Sequence, residues 1–320
     1  MGQHKVDALE YNFPNSKRYN SYAEAGKLRY GERLQKLVLD AGLSCPNRDG
    51  TLSRGGCTYC DNAAFHPGYS VPGKSIAQQL DEGIEFHRKR YPRATKYLAY
   101  FQAYSNTYAP VERLERLYRE ALSHPQVGGI VIGTRPDCID SEKLDLLESL
   151  AEEKIVRIEY GIESCYDATL RRINRGHDFA CAREAVERTA SRGLEVGAHF
   201  ILGLPGETRQ MLLEGCALIN DLELTSVKFH QLQIIKGTAM QREFESCPGD
   251  FLQWTLDEYL DLVIDILERL RADLQIERIA GEVPPRFVTR TPWGLVRNVE
   301  ILRRLDERLQ ERDTFQGKYQ

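Results

Sequence analysis

Three cysteines lie close together in residues 45–60, which read CPNRDGTLSRGGCTYC. Eleven residues separate Cys45 from Cys57, and two separate Cys57 from Cys60. The C-x2-C pair places two sulfur atoms within one turn of the chain, and the two glycines before it let the backbone approach a ligand closely. Soft thiolates at such spacing bind zinc or an iron–sulfur cluster.

Two kinds of metal site are compatible with this spacing. The first is structural zinc, bound by the three cysteines together with His66 as a Cys3His site. The second is an iron–sulfur cluster. The position of the stretch favours the cluster, because it follows the first predicted strand of a large domain instead of forming a small module of its own. Three thiolates on a four-iron cluster leave one iron without a protein ligand, so that iron can bind a cofactor.

The framework that positions these cysteines is predicted by an alternation of strand-like apolar runs and amphipathic helical segments from residue 33 onward. The predicted strands are 34–40, 96–103, 128–134, 156–162, 195–203 and 226–235. Regular alternation indicates parallel strands with right-handed helical crossovers, in either a doubly wound sheet or a complete or partial barrel. In both architectures ligands lie beyond the carboxyl ends of the strands.

Both ends of the chain are predicted to add to this core. Residues 1–32 are expected to form an N-terminal extension on the surface. One long helix is predicted over 251–275, a further strand and loop over 276–285, and a last helix over 293–310.

The composition excludes several classes of protein. The 320 residues carry a net charge of -4, so any contact with nucleic acid needs a local basic patch. No run of about eighteen or more apolar residues predicts a membrane helix, and the N-terminus lacks a secretory signal. The eight cysteines are mostly scattered instead of forming a disulfide framework, which favours a reducing compartment. We therefore expect a cytoplasmic protein without a membrane partner.

Several ordered motifs resemble those of the radical S-adenosylmethionine (SAM) superfamily. That superfamily usually has C-x3-C-x2-C, and the longer first gap here is similar to its elongator-type branch. The string DAGLSCPNRDGT around Cys45 resembles the smaller YhcC/YtqA-type members. Four further blocks are similar to the elongator-type branch: GTRPD (133–137), GIES (161–164), LRRINRGH (170–177) and HFILGLPGET (199–208).

The resemblance implies a fold and a chemistry. The fold is an α/β partial (β/α)6 TIM-type barrel, with its core over 33–240, the N-terminal extension over 1–32 and a C-terminal helical extension over 241–320 packed on the core. Each chain would bind one [4Fe–4S] cluster, with SAM on the open iron. One electron into the sulfonium then releases a 5′-deoxyadenosyl radical, which takes a hydrogen atom from the substrate. Flavodoxin or ferredoxin is the expected type of electron donor.

The resemblance also implies individual roles. Cys45, Cys57 and Cys60 would ligate the cluster, Glu163 would bind the SAM ribose, and Arg175 would pair with the SAM carboxylate. The residues expected around the adenine are Tyr59, Ile201, Gly203 and Leu204. Ser105, with Tyr104 and Asn106, follows the second strand, where the superfamily often has a glycine-rich block for the methionine amino group.

Other residues are assigned from position alone. Cys138 and Cys165 follow the third and fourth predicted strands and are candidates for a catalytic role at the barrel mouth, with burial as the alternative. His199 and His230 lie within predicted strands, where a histidine is more often a hydrogen-bonded core residue than a ligand.

The expected substrate follows from the same resemblance, because the elongator-type branch acts on the wobble uridine of tRNA. Residues 286–320 hold eight basic and five acidic residues, and the arginines there are interleaved with Phe287 and Trp293. Such a segment can track phosphates and stack a splayed base, or it can be a solvated helix. Two other hypotheses remain: a radical SAM enzyme for a small molecule or peptide, and a zinc-stabilised nucleic-acid-binding protein.

Overall fold

The computed structural model describes residues 13, 17–89, 91–92 and 94–320. Its centre is one curled sheet of seven parallel strands in the order of the sequence. The strands are β1 Gln35–Leu39, β2 Tyr97–Phe101, β3 Val127–Thr134, β4 Ile155–Glu163, β5 Glu195–Leu202, β6 Ser226–Gln231 and β7 Gln275–Arg278. In the described part of the chain β1 and β7 do not pair with each other, so the barrel is partial. The partial TIM-type barrel is confirmed, with a seventh strand added at one edge.

Eleven helices are present in the described residues. They are α1 Tyr22–Tyr30, α2 Pro46–Asp49, α3 Ile76–Arg88, α4 Val111–Ser123, α5 Ser141–Ala151, α6 Asp167–Arg172, α7 Phe179–Ala190, α8 Arg209–Asn220, α9 Ala239–Ser246, α10 Leu256–Arg269 and α11 Asn298–Glu311. Short 3-10 turns lie at Asn62–Ala64, Pro136–Cys138 and Pro248–Asp250.

Alternation along the strands divides the sheet into two faces. Outward residues such as Leu37, Leu39 and Phe101 are fully buried beneath the helices and belong to the main core. The inner face has a smaller apolar cluster, centred on Leu98 and Val131. Most of the remaining inner positions are polar, which leaves the inside of the barrel for binding.

Two predicted helices are shorter than expected at their amino-terminal ends. The helix predicted over 251–275 begins at Leu256, because Thr255 and Glu258 form a capping box, and it ends at Arg269. The helix predicted over 293–310 begins at Asn298, since Gly294 adopts a φ of 66° and breaks the helical path before it.

The described part of the N-terminal segment closes the amino-terminal end of the barrel. Ser21 forms a parallel bridge with Ile276, and the Asn20 side-chain amide donates to the Asp273 carbonyl at 2.9 Å. The ring of Tyr22 lies 4.9 Å from the Lys36 ammonium and 5.0 Å from the Arg157 guanidinium. This attachment was not expected from the sequence, which suggested a surface extension; residues 1–12 and 14–16 lie outside the described residues.

Residues 17–20 are also tied to the C-terminal segment. Lys17 pairs with Asp306, and the Asn20 backbone N–H donates to the side-chain oxygen of Gln316 at 2.9 Å. Among the described residues, no helix is both long and apolar enough to cross a membrane.

Candidate cofactor site at the mouth of the barrel

The three cysteines of the first motif share one cavity of about 250 Å³ at the carboxyl ends of the strands. Cys45 precedes α2, and Cys57 and Cys60 lie on the loop after it. Three of the expected SAM contacts, Tyr59, Glu163 and Arg175, line the same cavity. The structure therefore brings together residues that are up to 130 positions apart in the sequence, from Cys45 to Arg175.

Asn47 fastens this loop to the segment after α6. Its side-chain amide donates to the carbonyls of Asn174, at 2.5 Å, and Arg175, at 3.1 Å, and lies 3.5 Å from the Cys57 sulfur. In return the Asn174 side chain donates to the Gly56 carbonyl at 2.9 Å. Asn47 was not singled out from the sequence, although it lies in the string that resembles the YhcC/YtqA-type proteins.

The three thiols line one cavity and have the chemistry to bind iron. Burial raises the pKa of the Cys60 thiol to about 12, and Cys57 adds to the rise, so a bound cation would favour the thiolate of Cys60. Within the described ranges, no three or more His, Cys, Asp or Glu side chains are arranged to hold a metal ion. A four-iron cluster does not need three side chains placed around one ion, because each cysteine binds a different iron.

His66 does not complete a zinc site with these cysteines. Its Nδ1 lies 3.8 Å from an Asp40 carboxylate oxygen, and it does not line the cavity. The Cys3His alternative is therefore wrong in its fourth ligand, because the chain after Cys60 turns His66 towards the end of β1.

Arg175 and Glu163 form the wall beside the cysteines. The Arg175 guanidinium contacts the Cys57 sulfur at 3.5 Å and the Gly161 carbonyl at 2.5 Å, with Glu163 at 3.9 Å. Glu163 has a φ of 75°, a strained conformation for a non-glycine residue that is typical of functional positions. A Cβ on Gly161 would meet Glu163 Oε1 at 2.6 Å and Arg175 at 2.9 Å, so a larger residue there would displace the ends of both side chains.

The other expected SAM contacts divide into two groups. Ser105 and Ile201 line the cavity, as does Tyr104, which has a φ of 61°. Gly203 and Leu204 do not line it. A Cβ on Gly203 would lie 2.9 Å from the Trp254 ring, so its glycine is explained by packing, and Leu204 is fully buried in the core.

The two catalytic candidates lie outside this cavity. Cys138 is buried behind β3, with the pKa of its thiol raised to about 12 by burial. Cys165 lies beside Gly215 of α8 and lines a small internal void. Neither cysteine lines the cavity, although the Cys138 thiol interacts with Cys45 and Ser105, which do. A catalytic role for either thiol stays a prediction.

The base of the cavity is charged, which the sequence analysis did not foresee. Glu159 Oε1 lies 2.5 Å from the Lys36 ammonium, and its other oxygen contacts Lys228 and, at 2.8 Å, His199 Nε2. His199 is thus hydrogen-bonded inside the sheet as expected, but it also lines the cavity, as does His230. The sequence does contain a sign of this charged base, because each of two predicted strands has a charged residue in its middle. These residues are Glu159 in VRIEYGI and Lys228 in SVKFHQ.

A second cavity of about 460 Å³ adjoins the first. Trp254, Trp293 and Phe244 contribute aromatic walls, and Arg290 and Arg297 also line it. The two cavities share a wall composed of Gln231, Leu232, Gln233 and Gly281. The Gln231 side chain holds that wall by bonding both the Gly281 N–H, at 2.8 Å, and the Gly281 carbonyl, at 2.9 Å.

Comparison with known proteins agrees with this geometry. Residues 50–219 match the radical SAM superfamily model, and residues 224–311 match the radical SAM C-terminal domain model. The chain is 36% identical to the YtqA protein of Bacillus subtilis, covering 96% of this chain and 95% of that protein. It is 42% identical to the YhcC protein of Escherichia coli K12 over 68% of this chain and 69% of that protein.

More distant similarity extends to elongator proteins. The chain is 26% identical to human elongator complex protein 3, over 65% of this chain and only 37% of that protein. The fold is similar to that of Elp3 from the archaeon Methanocaldococcus infernus, with a TM-score of 0.64 at 16% identity, covering 88% of this chain and 64% of that one. The chain thus spans much of the YhcC and YtqA proteins but only part of the elongator proteins. It belongs to the radical SAM superfamily, in its elongator-like branch.

Proposed function

We propose that the chain is a radical SAM enzyme that remodels the side chain of a tRNA wobble uridine. The observation that carries this proposal is the pair of adjoining cavities: one is lined by three thiols, and the other is built largely by the aromatic and arginine-rich C-terminal part of the chain. In members of this superfamily a bound [4Fe–4S] cluster and SAM supply a 5′-deoxyadenosyl radical.

The residues of the first cavity have the chemistry to hold these groups. Cys45, Cys57 and Cys60 offer three thiolates, which leaves a place on the cluster for SAM. Glu163 offers a carboxylate to ribose hydroxyls, and charge-assisted hydrogen bonds of this kind are strong. Arg175 retains one buried guanidinium nitrogen, Nε, that has no hydrogen-bond partner among the described residues and is available to a SAM carboxylate.

The second cavity has the chemistry to hold a nucleotide next to the reacting one. Trp293 and Trp254 flank Tyr259 at centroid distances of 4.8 and 5.7 Å, so a rigid aromatic layer backs the wall on which a base would stack. Arg290 and Arg297 line the same cavity and have the charge to bind the phosphates that flank such a base. By contrast, Arg303 and Arg304 are paired with Glu300 on the exposed face of α11, so they add little to phosphate binding.

The test begins with anaerobic reconstitution and an iron and sulfide count, followed by SAM cleavage driven by dithionite or a reduced flavodoxin or ferredoxin. We expect about four irons per chain and release of 5′-deoxyadenosine. The reconstituted protein is then incubated with bulk tRNA from a strain lacking the gene, and its wobble nucleosides are measured by mass spectrometry.

A change in the wobble uridine fraction supports the proposal. SAM cleavage without a change in any tRNA nucleoside, and without salt-dependent tRNA binding, would instead indicate a small-molecule or peptide substrate. One zinc per chain and intact SAM would remove both enzymatic assignments.

A further inference from the structure

The base of the cofactor cavity holds three basic side chains from three adjacent strands. His199 of β5 is paired in register with Lys228 of β6, and Lys228 is paired in register with Arg278 of β7. All three side chains line the cavity. Like charges placed directly opposite on neighbouring strands are destabilising, so this row is unfavourable unless something neutralises it.

The carboxylates nearby neutralise only part of this charge. Glu159 and Glu277 are both bound by Lys36, at 2.5 and 2.6 Å, and both also contact Lys228. The two carboxylates therefore neutralise the charges of the two lysines. Over the described ranges no carboxylate pairs with Arg278, which leaves one positive charge in excess even when both histidines are neutral.

We propose that Lys228, Arg278, His199 and His230 form an anion-binding site at the base of the cavity, which takes a carboxylate or phosphate group of the substrate. Arg278 provides a planar pair of donors suited to either group, and Lys228 provides a compact charge beside it. The proposal rests on the proposed function in one respect, because the anion belongs to the molecule that the enzyme attacks. It restricts the substrate to one with an anionic group that reaches the cavity wall formed by β5, β6 and β7.

The basic groups of the site lower one another's pKa values. Burial lowers the pKa of Lys228 to about 8 despite its two carboxylates, and Lys36 and Arg278 lower it further. Burial also lowers the pKa of His230, with Arg278, His199 and Lys228 contributing. A bound anion would favour the protonated form of Lys228, so affinity should fall as the pH rises through about 8. The charged or titratable groups facing Lys228 are Lys36, Tyr100, Glu159, His199, His230, Glu277 and Arg278.

The reactivity of Lys228 measures occupancy of the site directly. The SAM-bound holoenzyme is treated with methyl acetimidate at pH 8, and amidination of Lys228 is followed by peptide mass spectrometry. Separate arms contain propionate, inorganic phosphate, or chloride at the same ionic strength. A rise of about one unit in the pKa of Lys228, typical for a neighbouring opposite charge, would lower its neutral fraction and its reaction rate about fivefold.

Two variants, Arg278→Gln and Arg116→Gln, show whether protection of Lys228 by the anions depends on Arg278. In Arg278→Gln we expect about tenfold more anion to be needed for the same protection, because one charge-assisted pair is lost. Arg116→Gln removes an arginine of α4 that is also exposed but lies outside the cavity, and this variant should behave like the wild type. Calorimetric titration of the same holoenzymes with both anions gives a second readout that needs no reaction at Lys228.

The outcomes separate the sources of the anion. Protection by propionate alone indicates a carboxylate, and protection by phosphate alone indicates a phosphate group. The proposal is overturned if neither anion exceeds chloride in both measurements, if Arg278→Gln and Arg116→Gln behave alike, or if SAM alone already shields Lys228 and the anions add nothing. No tRNA is used, so failure here is distinct from failure of the tRNA proposal.

Discussion

Glu207 is the acidic residue whose replacement should stabilise this protein most clearly. It is 4% exposed, and its Oε1 accepts a hydrogen bond from Ser164 Oγ at 2.5 Å. Burial raises the pKa of Glu207 to about 7 from an ordinary value of 4.5. The folded state therefore binds this proton more tightly than the unfolded state, and stability is lost as the pH rises from 4.5 through 7.

The size of the effect follows from the difference in pKa. A shift of about 2.5 units, from 4.5 to about 7, corresponds to about 3 kcal/mol lost in full above pH 7. Glu207→Gln keeps an acceptor oxygen for Ser164 without the charge, at a cost of about 1 kcal/mol for a weaker hydrogen bond. We therefore expect the variant to be about 2 kcal/mol more stable than the wild type at pH 8, with the gain disappearing towards pH 5.

Urea unfolding under anaerobic conditions at four pH values between 5 and 8 measures this difference. Glu214→Gln is the matched control, because Glu214 lies on the exposed face of the neighbouring helix α8 and should show no such pH-dependent gain. The reasoning is refuted if the stabilities of Glu207→Gln and the wild type run parallel across this pH range.

Three further changes test the site. Cys57→Ala should abolish both iron binding and SAM cleavage while the circular dichroism spectrum stays close to that of the wild type; 5′-deoxyadenosine from this variant would contradict the assignment. Gly161→Ala places a methyl group 2.6 Å from Glu163 Oε1, and we expect SAM affinity, measured by calorimetry, to fall at least about tenfold. Arg290→Gln should weaken tRNA binding equally for all tRNA sequences and reduce the slope of log binding constant against log salt concentration by about one. An unchanged slope would mean that the phosphates bind elsewhere.

The sequence predicted the strands well because their outward residues follow the period of a buried parallel sheet. The strand predicted over 128–134 is observed as Val127–Thr134, and that over 195–203 as Glu195–Leu202. The helix boundaries near the C-terminus were less accurate, since they depend on a local cap at Thr255 and a glycine turn at Gly294.

The residues of the candidate site that belong to sequence motifs were predictable. The residues that become neighbours only in the folded sheet were not. The cysteines, Glu163 and Arg175 were found from motifs, and the structure brings them together. Gly203 was assigned to the adenine, but its backbone freedom serves packing against Trp254. The basic row at the base of the cavity was not found, because His199, Lys228 and Arg278 become neighbours only through the register of three strands that are far apart in the sequence.

The closure of the barrel end has a consequence for synthesis on the ribosome. Ser21 forms its bridge with Ile276, so the two halves of that contact emerge roughly 10 to 50 seconds apart at typical elongation rates. Residues 17–21 therefore have all their partners only after residues 273–316 have been synthesised, and we expect this segment to be open to proteases in nascent chains until then.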